Sequence, residues 1–184
     1  KYVDLILGKQ CQTKMGRGGI RPLEFKTFSK EMQNAITNYC QTGGNFFVSG
    51  AYVASDLWDN RLVKANEEDK KFAMEVLKYK WRVGQAARNG KVKSVASPFP
   101  EITGSYTYYQ DLNPESYVVE SPDALEPAAQ GAFTILRYSE NNLSAGIAYK
   151  GNYKTCVLGF PFEAIRTVTE RELLMKAILT FFEH

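Results

Sequence analysis

The sequence predicts a three-layer α/β domain: a mostly parallel sheet flanked by helices, with an antiparallel β extension. Three observations predict it. In the first half, strand-length apolar runs alternate with segments of helical period. The second half is a series of strand-like segments separated by turn signals. The chain then closes on one amphipathic helix. With 184 residues, 44% apolar and 23% charged, residues 1–184 fit a single domain with a real core.

The elements follow in order. Residues 2–7 form a short apolar run that reads as a buried strand, and the polar, Gly-rich residues 9–22 read as a loop. Within it, Met15-Gly16-Arg17-Gly18-Gly19 lacks both the Lys-Ser/Thr of a phosphate loop and the spacing of a dinucleotide fingerprint. Ser29 is placed to cap a helix whose Phe28, Met32, Ala35, Ile36 and Tyr39 share one face, and Gly43-Gly44 stops it. A buried strand is expected at Asn45–Ser49, and Gly50 then turns the chain into a short helix through Trp58. A further helix is expected over about residues 67–79, with Phe72, Val76 and Leu77 inward. Strands are expected at 92–96, 105–109, 117–119, 133–138, 145–149 and 155–158. Asn141-Asn142 and Lys150-Gly151-Asn152 read as hairpin turns. Thr169 with Glu172 predicts a capping box for the last helix, whose apolar face carries Leu173, Leu174, Ala177, Ile178, Phe181 and Phe182.

Composition narrows the function. A net charge of +3 is spread over single Lys and Arg residues with no run to track a phosphate backbone, so nucleic acid is not expected as a partner. No apolar stretch approaches the roughly 20 residues of a spanning helix. The chain begins at Lys1, inside a strand and without Met, so we read it as a fragment or processed form. Cys11, Cys40 and Cys156 make neither a disulfide framework nor a CxxC metal pair, and no metal or cofactor is implied.

Ligands of open α/β sheets collect beyond the carboxyl ends of parallel strands. Three such ends are expected to line a binding cleft, through Lys9, Gln10, Cys11, Ser49, Gly50, Tyr52, Phe160 and Phe162. The second end has the pattern of a nucleophile elbow, with a strand, a tight turn, then a helix, and Tyr52 at the upright position. A phenol is a weak nucleophile at neutral pH without strong activation. The one histidine is His184, the last residue, so no base accompanies Tyr52, Ser49, Ser55 or Asp56. The turn is thus either a structural crossover whose Tyr fills the cleft or a catalytic elbow, and the absent base favours the first. The candidate catalytic residues are Tyr52, Glu163 and Asp56. Asp59, Asp123 and Glu126 are further carboxylates for acid/base cleavage of a glycosidic bond, and Asp56 is also placed to cap the elbow helix.

The run Gly159-Phe160-Pro161-Phe162-Glu163 resembles the late strand end of class I glutamine amidotransferases, where a His and a Glu follow the strand. Here the Glu is present, the His is missing, and Tyr52 stands at the elbow where that family has Cys. The resemblance implies that fold without amidotransferase activity. Residues 3–10, 39–59, 119–127 and 157–165 together resemble the C-terminal part of exported Bacteroidetes proteins labelled xanthan lyase. That resemblance implies export to the periplasm or cell surface and a setting of polysaccharide use. It also implies an upstream segment of a longer chain as a partner for the first strand.

An amidotransferase or hydrolase with Cys11 as nucleophile would need a base the sequence does not show and ranks last, and two readings stand ahead of it. One is a non-catalytic module that binds a glycan or a partner domain. The other is a polysaccharide lyase using Tyr52, with Lys9 or Arg61 neutralising a uronate, and carboxylates.

Overall fold

The computed structural model describes residues 1–7, 15–16, 19–20, 27–58 and 66–184. The strands are β1 (Tyr2–Ile6), β2 (Met15–Gly16), β3 (Gly19–Ile20), β4 (Asn45–Ser49), β5 (Tyr79–Val83), β6 (Lys91–Ser94), β7 (Ser105–Thr107), β8 (Ala124–Pro127), β9 (Ala132–Tyr138), β10 (Ser144–Lys150) and β11 (Lys154–Leu158). The helices are α1 (Lys30–Gln41), α2 (Ser55–Trp58), α3 (Glu67–Phe72) and α4 (Val168–Glu183). A π-helical turn, Ala73–Leu77, continues α3, and a 3-10 turn, Phe162–Ala164, follows β11.

Seven strands form one mixed sheet in the order β1-β4-β11-β10-β9-β6-β7. Only the pairs β1–β4 and β4–β11 are parallel, while β11–β10, β10–β9, β9–β6 and β6–β7 are antiparallel. The expected three-layer, mostly parallel sheet flanked by helices is therefore wrong. The physical reason lies in the connections. A parallel neighbour needs a crossover of a dozen or more residues, and short turns can join only antiparallel strands. The turns at Asn141-Asn142 and Gly151-Asn152 thus force β9, β10 and β11 into antiparallel order. They add to the main sheet instead of forming a separate extension. Over this half the β5–β8 ribbon packs on β10 in place of a helix.

Period-2 alternation splits the core in two. Phe47 and Cys156 point into one cluster with Leu174, Ala177, Ile178 and Phe181 of α4. Phe46, Val48 and Val157 point into the other, with Ile36 and Cys40 of α1, Leu57 of α2, and Phe72 and Leu77. The Ser29 hydroxyl accepts the Met32 N–H at 3.3 Å and caps α1, and Gly43 at φ 85° ends it.

The first strand, expected to be buried, is largely exposed as β1 at the end of the sheet, and four further local expectations shift. The helix expected to reach residue 79 ends at Leu77, because Lys78 turns left-handed at φ 68° and Tyr79 opens β5. Residues 117–119 are not a strand. The cap of α4 is Thr167, whose hydroxyl accepts the Glu170 N–H at 3.1 Å, and not Thr169 with Glu172. Both threonines have a Glu three residues on, and Val168 already lies in the helix, so the earlier Thr takes the cap. Within the expected loop, β2 and β3 pair antiparallel.

Candidate functional site

The site sits where β4 and β11 end side by side, with Ser49 opposite Leu158 in register. The Ser49 hydroxyl accepts the Phe162 N–H at 3.2 Å and ties the two strand ends together. Gly50 follows, where an added Cβ would stand 3.0 Å from Leu7, so the turn packs tightly against the first strand. Tyr52 then adopts φ 58°, the left-handed region that a non-glycine residue enters at a cost of order 1–3 kcal/mol. The strained upright position of an elbow is thus present, and Tyr52 occupies it half-buried.

The space beyond that turn is filled by the chain itself. Residues 121–123 (Ser-Pro-Asp) cross over both strand ends. The Ser121 carbonyl accepts the Tyr52 N–H at 3.3 Å, and the Asp123 N–H donates to the Gly159 carbonyl at 2.7 Å. The Asp123 carboxylate is fully buried, and its Oδ2 accepts the N–H groups of Ala54 (2.8 Å) and Ser55 (2.9 Å) and the Ser55 hydroxyl (3.2 Å). The donors that a helix start offers to an anion are therefore already taken. The Tyr138 hydroxyl holds the Asp123 carbonyl at 2.8 Å from below.

Burial pushes the Asp123 carboxyl up to about 7, against the pull of the Ser55 and Ala54 donors and of the Trp81 indole. That indole N–H lies close enough to favour the charge but outside hydrogen-bonding geometry, and both it and Asp123 Oδ1 are buried without a partner. Asp56, expected as the cap, lies within the first turn of α2, and its Oδ2 accepts the Phe28 N–H at 3.4 Å. The cap comes from Asp123 instead, which the sequence offers only as one of several carboxylates. Its signal is the Ser-Pro-Asp turn, but nothing local links residue 123 to residue 54.

Of the other expected cleft residues, Phe160 is fully buried and stacks on Tyr108 at 4.9 Å between ring centroids. Phe162 is buried and meets Phe47 edge-on at 5.9 Å. Both serve the core rather than line a cleft. Lys9, Gln10, Cys11, Asp59 and Arg61 lie outside the described residues. Glu163 accepts a hydrogen bond from the Tyr117 hydroxyl through Oε1, while its Oε2 is buried without a hydrogen-bond partner. Desolvation, and the Glu163 charge beside it, push Asp4 of β1 up to about 6. Sequence does not single out Tyr117 or Asp4, since residues 4, 117 and 163 meet only through the sheet.

Neither described cysteine is set up as a nucleophile. Cys40 and Cys156 are buried, and burial pushes Cys40 up to about 12 and Cys156 well up too, so both stay thiols at neutral pH. Among the described residues no group of three or more His, Cys, Asp or Glu side chains could hold a metal ion. No helix among them is long and apolar enough to cross a membrane.

No protein-family model and no curated protein matches the chain. Solved structures do. One is a β-galactosidase from Rahnella sp. R3, similar over 84% of this chain with TM-score 0.52 and 13% identity. The match spans only 21% of that enzyme, about a fifth of its length. Another is the mmIFT52 N-terminal domain, similar over 85% of this chain and 72% of that one, with TM-score 0.51 and 14% identity. At such identities the likeness is one of fold alone.

Proposed function

We propose that the chain is a non-catalytic module of an exported protein linked to polysaccharide use, a scaffold that binds a glycan or a partner segment. The upstream part of its own longer chain belongs to the same proposal. The observation that carries it is Asp123. Its carboxylate fills the anion position at the turn after β4, and residues 121–123 cover the strand ends where an α/β sheet would take a ligand. A nucleophile at Tyr52 would have no vacant donors at Ala54 or Ser55 to stabilise its oxyanion.

The rival reading, a polysaccharide lyase, needs a phenol that can give up its proton. Tyr117 is the phenol paired with the candidate carboxylate Glu163, but it donates to that group, and burial together with that bond raises its pKa well above the ordinary value. A phenol so held is a poor base near neutral pH. The test is a depolymerisation assay on acidic polysaccharides that follows the unsaturated uronate product. We expect none from the wild type. Product formation that disappears in Tyr52→Phe or Glu163→Gln would overturn the proposal.

A further inference from the structure

The outer strand β1 carries the second unusual feature of the sheet. Among the described residues it pairs only with β4, so its other edge offers backbone N–H and C=O groups without a strand neighbour. Such edges are usually blunted by Lys, Pro or a bulge. β1 has no Lys, Pro or bulge, its one charge is Asp4, and its Tyr2, Val3 and Ile6 are 51%, 42% and 47% exposed.

Its two faces differ. Val3 lies opposite Phe46, on the α1 side, where Val3, Ala35, Ile36, Tyr39 and Phe46 line a hollow of about 240 Å³. Asp4 lies opposite Phe47, on the α4 side, within the field of Glu163. There Glu163 Oε2 is buried and lacks a hydrogen-bond partner. Tyr117 satisfies only the other oxygen, and Cys156, next in the row beyond Phe47, is a neutral thiol. This corner therefore holds two carboxylates, with no cation among the described groups that bond to either.

The geometry points to β1 as a strand-addition site for an extended segment of a partner protein that carries a Lys or Arg between apolar residues. The period of two fixes the pattern. A cation opposite Asp4 lies beside its carboxylate on the α4 side, within the field of Glu163. Its two immediate neighbours then face the α1 side and cover Val3 and the apolar hollow. The next residues out lie beside Tyr2 and Ile6.

A second copy of this chain fits badly. The two-fold antiparallel register that uses all five β1 residues sets Asp4 directly opposite its own copy, and like charges so placed repel. The inference rests on the reading of the chain as a binding module and adds the chemistry of what it binds.

The probe is the blocked peptide Thr-Ile-Val-Lys-Val-Ile-Thr, a palindrome that reads alike in either strand direction, with a Glu-centred version as control. Binding is followed by NMR through the β1 amides at pH 7.5. We expect the Lys peptide to shift and protect the amides of residues 2–6, at least tenfold tighter than the Glu peptide, and Asp4→Lys to reverse the preference. Three outcomes would overturn the inference: affinity indifferent to the central charge, a dimer through β1 by sedimentation, or β1 amides already protected in the free monomer. Polysaccharide cleavage would sink the proposed function yet leave this edge intact, and a silent edge would leave the lack of cleavage untouched.

Discussion

The turn after β4 and the edge of β1 that no described strand covers lie in the same parallel half of one sheet, yet they treat their polar groups in opposite ways. At the turn, the N–H groups of Tyr52, Ala54 and Ser55 all find acceptors in residues 121–123. At the edge, no described strand pairs with the outer side of β1, and the aliphatic side chains of Val3 and Ile6 stand in the open. Placement at a strand end is what makes a site in an open α/β sheet, and by that rule the turn should be the ligand site. Satisfied hydrogen bonds point the other way, since a group already paired gains little from a ligand. The contrast can be broken or sharpened by substitution.

The largest effect is expected at Gly159, where the 121–123 crossing rests on β11. A Cβ there would stand 2.0 Å from the Asp123 carbonyl oxygen, which is backbone and cannot swing aside. Gly159→Ala should cost about 3–5 kcal/mol by urea denaturation, through strain and loss of the Asp123 N–H bond. Gly84 is the control. Its Cβ would meet only the ordinary contact of Asp123 Oδ1 and Ser121 Oγ at 3.5 Å, and its φ is not positive. Gly84→Ala should be neutral or stabilising by up to about 1 kcal/mol. Equal losses at the two glycines would mean that the crossing does not seal the turn.

These glycines also show what a sequence can and cannot convey. Gly43 is legible as a stop because the helical period ends beside it, and Ser29 as a cap because the period begins there. The strand-turn-helix of residues 45–58 is legible for the same reason, since every cue is local. Gly159 reads only as a strand end, because its partner is 36 residues away in Asp123. The order of the sheet is hidden on similar grounds. β1, β4 and β11 are parallel, but each antiparallel strand reads locally much as a parallel one does, and only the turn lengths betray the direction. Tyr79 reads as helical because Phe72, Val76 and Leu77 keep helical spacing up to it. The left-handed Lys78 that ends the helix carries no Gly or Asn to announce the change.

A middle-sized effect is expected at Asp123. Its folded-state pKa, about 7, lies above the ordinary 3.8, so its ionisation opposes folding. The stability linked to the neutral acid is complete below about pH 4 and is lost as pH rises through 7. The loss is at most about 4 kcal/mol. Asp123→Asn keeps an oxygen for the Ala54 and Ser55 donors but cannot ionise. Its unfolding free energy, measured from about pH 4 to 8, should fall less steeply than that of the wild type. The same slope in both would mean that another group titrates there, and that the anion position is held by a plain carboxylate.

The smallest effect belongs to the edge. Asp4 also has a raised pKa, about 6, set first by desolvation and second by Glu163. The sign is the same: stability is fullest below about pH 4 and declines as pH rises through 6. Asp4 is on an exposed strand, so solvent screening holds the effect to less than about 1 kcal/mol. Asp4→Asn should therefore leave thermal stability unchanged at about pH 4 and raise it slightly at about pH 7.5, by removing one of two like charges. The same substitution should weaken capture of the Lys-centred peptide at that higher pH. A gain in stability paired with a loss in binding is the signature of a group kept for a partner rather than for the fold. If Asp4→Asn instead destabilises the free chain there, the carboxylate is already paired within it, and β1 resembles the sealed turn after all.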